Sequence, residues 1–263
     1  MPQPHRASTL SVASQLLAAF LLLHTTGLGA QNPIPETFTN LQVLPKETQR
    51  TELLGAMKGF TAALGVRCGY CHASKPGADP TSDRLDSLDF AADTREAKQT
   101  ARVMMRMVKA INGEHLAQLP GPARITVACA TCHRGVPEPE PVEAILAREL
   151  AEHGAEAAAE AYRDLREEYY GSASYDFSEG PLNRLGQTLL ESGDSAGALA
   201  CLRLNAEFYP DSGRLAYLLG EAELAAGNRE AARSAFTRAV ELEPRNQRAR
   251  QRLEELKTEP QQP

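Results

Sequence analysis

Leu64-Gly65-Val66-Arg67-Cys68-Gly69-Tyr70-Cys71-His72 is the stretch around which this chain is organised, and Cys129-Ala130-Thr131-Cys132-His133 echoes it. Both carry Cys-x-x-Cys-His, the sequence that attaches a c-type haem. The two cysteines add across the haem vinyl groups, and the histidine lies beneath the porphyrin, where its imidazole takes one axial position on iron. Two attachment sites predict two haems. A lone Cys-x-x-Cys also serves redox dithiols and zinc sites. A zinc site would use both pairs to hold one metal, and closed zinc sites need no histidine directly after each pair. A thioredoxin-like motif needs a βαβ context, and no strand pattern surrounds either pair.

The 263 residues suffice for two modest domains, and a net charge of −6 gives no sign of a nucleic-acid surface. Tryptophan is absent and aromatics make up only 5%. That is thin for a conventional core, and two flat macrocycles would supply the missing apolar bulk in the first half. Five cysteines divide into two haem pairs plus Cys201, which reads as a small buried hydrophobe. Residues 1–30 read as a secretory signal. His5 and Arg6 come first, then an apolar run from Leu16 to Leu23, then the small residues Gly27 to Ala30. Export fits c-type attachment, which bacteria complete outside the cytoplasm, so the expected location is the periplasm.

Residues 31–137 are read as the haem domain. A helix is expected from about Lys46 to Leu64, with Leu53, Met57, Phe60 and Leu64 on one face. Gly65 is placed to end it in a left-handed conformation. Residues 73–92 read as a surface loop. Asp93 with Glu96 looks like a capping pair opening a second helix that runs to about Asn112. Ala97, Ala101, Met104, Val108 and Ile111 are expected to form the buried stripe of that helix. Pro137, Pro139 and Pro141 alternate with Glu138 and Glu140, and residues 138–141 read as a stiff linker.

From Val142 alanine, leucine, glutamate and arginine dominate, and 142–259 reads as a helical-repeat domain. Leu185-Gly186 recurs as Leu219-Gly220, Gly193 as Gly227, Ala198 as Ala232 and Pro210 as Pro244, each 34 residues apart. That is the tetratricopeptide period. Residues 142–170 supply two helices before these copies, readable as a degenerate third. Asn246 to Lys257 reads as a charged closing helix, as the exposed end of a stack requires. The fold class expected is therefore all-α, a dihaem domain followed by a solenoid of helical hairpins.

Each iron needs a sixth ligand or an open site, and the choice separates a carrier from a catalyst. All methionines except the initiator lie in the first half, at Met57, Met104, Met105 and Met107. Met57 faces the apolar side of the helix before the first motif, and Met104 sits mid-stripe before the second. Met105, Met107 and His115 remain alternatives to Met104, and all four methionines are also readable as core fillers.

The segment Met57 to His72 resembles the cytochrome c subunit of photosynthetic reaction centres. So do Arg102 to Asn112, with its Met-Val-Lys-Ala-Ile-Asn ending, and Val127 to Gly135. The resemblance covers roughly Leu41 to Pro137. It implies that Met57 and His72 ligate the first iron, Met104 and His133 the second. Family members in reaction centres carry four haems in two tandem halves, so this chain is equivalent to one half. The repeats are not part of that subunit, so membership does not imply photosynthesis.

The leading expectation is an exported dihaem electron carrier, not an enzyme. Its partners would be a protein electron donor and acceptor, one docked through the repeats, with no nucleic acid. Peripheral association with a membrane is left open. Two alternatives belong to other classes: a dihaem peroxidase-like oxidoreductase, in which one iron opens, and a repeat scaffold or assembly protein with structural haem. Carbon monoxide binding in the reduced state separates the enzyme from the carrier.

Overall fold

The computed structural model describes residues 34–121 and 125–258. The expected signal segment, residues 1–30, lies outside the described residues. The architecture is all-α, as expected, and its only strands among the described residues are β1 (Ala73–Ser74) and β2 (Leu88–Asp89), paired antiparallel. No helix among the described residues is long and apolar enough to cross a membrane.

Helix α1 spans Arg50–Leu64 and starts four residues later than the periodicity suggests. It ends at Gly65 with φ 67°, whose N–H donates to Thr61 O. A Cβ at Gly65 would lie 2.0 Å from the carbonyl oxygen of Gly135, so only glycine permits this approach. Gly135 N–H in turn donates to Ala63 O at 2.8 Å. The end of α1 is thus tied to the residues just after the second motif. The first motif forms the short helix α2 (Cys68–Cys71). Beyond it β1 and β2 close a loop over Leu88, which is buried.

Helix α3 spans Glu96–Ala110, and its opening differs from the expectation. Its N-cap is Arg95, which makes no capping bond. Asp93 does not cap; its carboxylate pairs with Lys98 at 2.9 Å and Arg102 at 2.8 Å. The expected apolar stripe is present in the sequence but not buried. Arg102 is the buried residue of α3, while Met104, Met107 and Val103 are exposed. The helix does not stop at Gly113 but loosens into a π-turn over Ile111–His115 and a 3-10 turn over Leu116–Gln118. The second motif forms α4 (Cys129–His133).

Seven further helices follow: α5 (Val142–His153), α6 (Ala155–Tyr169), α7 (Glu179–Glu191), α8 (Ser195–Phe208), α9 (Gly213–Ala225), α10 (Arg229–Leu242) and α11 (Gln247–Thr258). They pair as α5/α6, α7/α8 and α9/α10, and successive hairpins stack, so the helices before the two clear copies form a third hairpin of the same pile. The 34-residue period has a direct cause. A Cβ at Gly186 would meet Leu202 at 2.6 Å, and one at Gly220 would meet Phe236 at 2.4 Å. Leu202 and Phe236 are themselves fully buried equivalents. Gly193 and Gly227 turn each hairpin with φ 86° and 82°. Helix α11 closes the stack, with Arg252 bound to both oxygens of Glu221 at 2.7 Å.

All three apolar clusters draw their residues from position 142 onward. Among described residues 34–137 the buried apolar side chains are only Leu53, Ala63, Leu88 and Val136. A stretch of that length cannot offset its chain entropy on four such side chains.

Candidate haem sites

In each motif one helical turn sets the two cysteines three residues apart on the same side, with the histidine directly after. At Gly69 the loop folds back over the motif: a Cβ there would meet Asp83 Oδ1 at 2.4 Å, the end of an exposed side chain that can swing aside. Cys68, Cys71 and Cys129 are half-buried, Cys132 is exposed, and none is in a disulfide. Burial, then the neighbouring Cys68, pushes the Cys71 thiol up. Among the described residues no three His, Cys, Asp or Glu side chains converge as a metal cluster, so the two pairs do not come together as one zinc site.

His72 packs edge-on against Phe90, ring centroids 5.1 Å apart. Its Nδ1 is buried without a hydrogen-bond partner. Burial is the main cause that holds this imidazole below its usual protonation range, and Lys98 adds to it. The Phe90 main chain pulls the other way, Arg102 pushes down again, and Asp89 opposes least. A neutral ring is the form that can offer a nitrogen lone pair to a metal.

His133 is oriented by a different device. Arg134 takes a left-handed conformation with φ 50°, and Gly135 follows with φ 92°. This sharp turn brings Val136 O to 3.0 Å from His133 Nδ1. A carbonyl can only accept, so Nδ1 carries the proton and Nε2 keeps its lone pair. Upstream, Asn112 holds the second motif in place. Its amide donates to Val127 O and accepts from Val127 N–H, both at 2.8 Å. Asn112 was legible only as the end of a helix; its clamp spans residues far apart in sequence.

The methionines occupy distinct settings. Met57 lies on the same face of α1 as buried Leu53 and is half-buried. A Cβ at Gly55 or Gly59 would meet nothing within 4 Å, so neither glycine is forced by protein packing. Met104 is 38% and Met107 46% exposed, on the side of α3 roughly opposite Arg102. Met105 is half-buried, and His115 is exposed at the end of the π-turn. The first motif packs on α3, and α4 packs on α1. Lys98 Nζ donates to the carbonyls of Phe90, Ala91 and Ala92 at 2.6–3.2 Å, which puts the Lys98–Arg102 face of α3 against the first motif. The methionine face is turned away from it.

These features fit a haem. Val103, Met104 and Met107 of α3 lie exposed, both histidines can present a nitrogen, and few apolar side chains of the segment are fully buried. Polar residues elsewhere in the chain have ordinary partners. Glu140 pairs with Arg148 at 2.8 Å, and His153 lies 3.1 Å from Glu149. Cys201 is buried and its thiol is pushed up to about 12 by burial, as an apolar filler would be.

Comparison with known proteins bears on the same region. Residues 83–181 match the family model described as photosynthetic reaction centre cytochrome C subunit. The chain is 36% identical over 77 residues to cytochrome c-554 of Chloroflexus aurantiacus, covering 29% of this chain and 16% of that protein. It is 32% identical over 107 residues to the photosynthetic reaction center cytochrome c subunit of Thermochromatium tepidum, covering 40% of this chain and 22% of that one. The match to the family model contains Met104 and the second motif, begins after the first motif, and continues through α5 and α6 into α7.

Proposed function

We propose that this chain is an exported electron carrier related to the photosynthetic reaction centre cytochrome c subunit family and built on two covalently attached haems; the match of residues 83–181 to that family's model and the two partial relatives support this reading. Cys68 and Cys71 would hold the first haem and Cys129 and Cys132 the second. His72 with Met57, and His133 with Met104, would be the axial pairs. The observation that carries this reading is the near-coreless segment from residue 34 to 137. A bound macrocycle on each motif would bury the exposed Val103, Met104 and Met107 of α3 and complete the cover of the half-buried Met57 on α1.

Haem, when bound, supplies a one-electron couple whose potential its axial ligands tune. The chain's own residues do the rest. The Val136 carbonyl fixes the tautomer and direction of His133. Phe90 packs edge-on against His72 and shields it from water. Asn112 and the Gly65–Gly135 contact hold the second motif against both long helices, which limits movement between oxidation states. Met104 stands on the face of α3 turned from the first motif, which favours its pairing with His133.

The domain division follows from the same reading: signal 1–30, haem unit 31–137, linker 138–141 and repeats 142–259. The repeats would dock one redox partner, and the periplasm is the proposed location. The family model's reach to residue 181 suggests that the α5/α6 hairpin serves the haem unit as well as the stack.

Haem content of the exported protein tests this. Two haems per chain are expected, with one lost in Cys68→Ala/Cys71→Ala and the other in Cys129→Ala/Cys132→Ala. The spectrum of each remaining haem should show a methionine–histidine pair, with little carbon monoxide binding in the reduced state. Colourless protein from cells with working haem-attachment machinery ends the proposal. Strong carbon monoxide binding moves it to the peroxidase-like alternative.

A further inference from the structure

The face of α3 against the first motif carries a buried charge cluster that haem attachment does not need. Lys98 and Arg102 stand one turn apart, with side chains only 11% and 8% exposed. Asp93 is the one carboxylate that bridges them, through Oδ1 to Lys98 at 2.9 Å and Oδ2 to Arg102 at 2.8 Å. Asn40 and Gln42 donate to the same carboxylate at 2.9 and 3.0 Å. Arg102 also donates to Gln99 Oε1 at 3.1 Å. Two cations share one anion, so the cluster keeps one net positive charge. It adjoins the first motif directly, because Lys98 binds the carbonyl of Phe90, the residue that packs on His72. Asp89, the other carboxylate nearby, accepts from the amides of Ala91 and Ala92 at 3.0 Å and, of the groups acting on His72, acts least.

We propose that Lys98, Arg102 and Asp93 set the reduction potential of the first haem and hold it above that of the second. This rests on the reading of the first motif as a haem site. Ferric haem carries one more positive charge than ferrous haem. A fixed cation in a poorly solvated place therefore penalises the ferric form and raises the potential. The second motif packs on α1, whereas the cluster lies against the first motif. With the same ligand pair on both irons, electrons then pass from the second haem to the first. The donor approaches near α4 and the repeats, and the acceptor approaches near α2. Lys98 and Arg102 act through the field and touch no reacting atom; they are positioning residues.

Spectroelectrochemical titration of the full-length protein tests the assignment with variants of opposite sign. Lys98→Met removes a cation and should lower the higher of the two couples. The expected size is about a tenfold change in the ratio of reduced to oxidised haem, which is about 59 mV for one electron. Asp93→Asn removes the anion and should raise that same couple. The lower couple should stay in place, and the axial-ligand spectrum should not change. Arg102→Gln keeps a side-chain donor for Asn40 O and is the second cation variant should Lys98→Met not fold. An unmoved couple, a shift of the lower couple, or both signs of variant moving the couple the same way overturns the proposal; the last outcome marks a merely structural clamp. Wild-type protein with fewer than two haems overturns the haem reading beneath it, whereas two haems with unmoved potentials overturn this inference alone.

Discussion

At the scale of single residues, polar side chains do the positioning that apolar ones do elsewhere. His133 is aimed by one carbonyl, and Asn112 clamps Val127 from both sides. Asp93 shows how strongly such a site is built. Hydrogen bonds from Arg102, then Lys98, then Asn40 hold its carboxyl well below the usual carboxylate range. A carboxyl depressed on folding stabilises the fold above its unfolded value, about 3.9. That stabilisation falls away as the pH drops from there through the folded value. Asp93→Asn should therefore be less stable than the wild type at neutral pH, with the gap closing below about pH 4. Urea midpoints at pH 7 and pH 3 check this; a gap that widens in acid rules it out.

At the scale of elements, α3 and the repeat hairpins bury their surfaces in different ways. The hairpins follow ordinary helix packing, with a glycine on one helix receiving a large side chain from the next. Gly220→Ala should thus force the buried Phe236 ring aside and cost about 1–3 kcal/mol. Gly193→Ala meets no neighbour and is strained only through its positive φ. Chemical denaturation of the two variants separates the causes, since Phe236→Leu should partly rescue Gly220→Ala and leave Gly193→Ala unchanged. Helix α3 lacks such a partner. Met104 and Met107 face outward, on the side where a haem is the proposed cover, and its buried residue is an arginine because that side faces the ion cluster.

At the scale of the whole molecule, the haem segment and the repeats are joined by more than a linker. Ser174, in the loop between α6 and α7, donates to Arg134 O at 2.7 Å, next to His133. That loop is held by an aromatic group: Tyr162 packs edge-on against Phe177 and Phe208, and Arg166 lies 4.4 Å above both Tyr170 and Phe208. Half of the chain's 14 aromatic residues, seven Tyr and seven Phe, gather here. A chain ended after Pro137 loses this support. Hydrogen exchange should then quicken at residues 129–136 while α1 and α3 keep their protection. Equal quickening across all of them would mean that the repeats support the whole segment, and no change would mean that Ser174 contributes nothing.

Some of this was written locally in the chain. The motif turns, the left-handed Gly65, the 34-residue period and the all-α class depend on neighbours a few residues apart or on a repeat that copies itself, so periodicity and residue type suffice to read them. Asp93 reads locally as a cap for the same reason: a cap is a local pattern, while its partners Asn40 and Gln42 lie more than 50 residues away. Only tertiary structure could decide which face of α3 meets the first motif, which carbonyl orients His133, and that Gly65 stands against Gly135. Those outcomes are set by surfaces distant in sequence competing for the same space, and hydrophobic periodicity records that a face is apolar without recording what covers it.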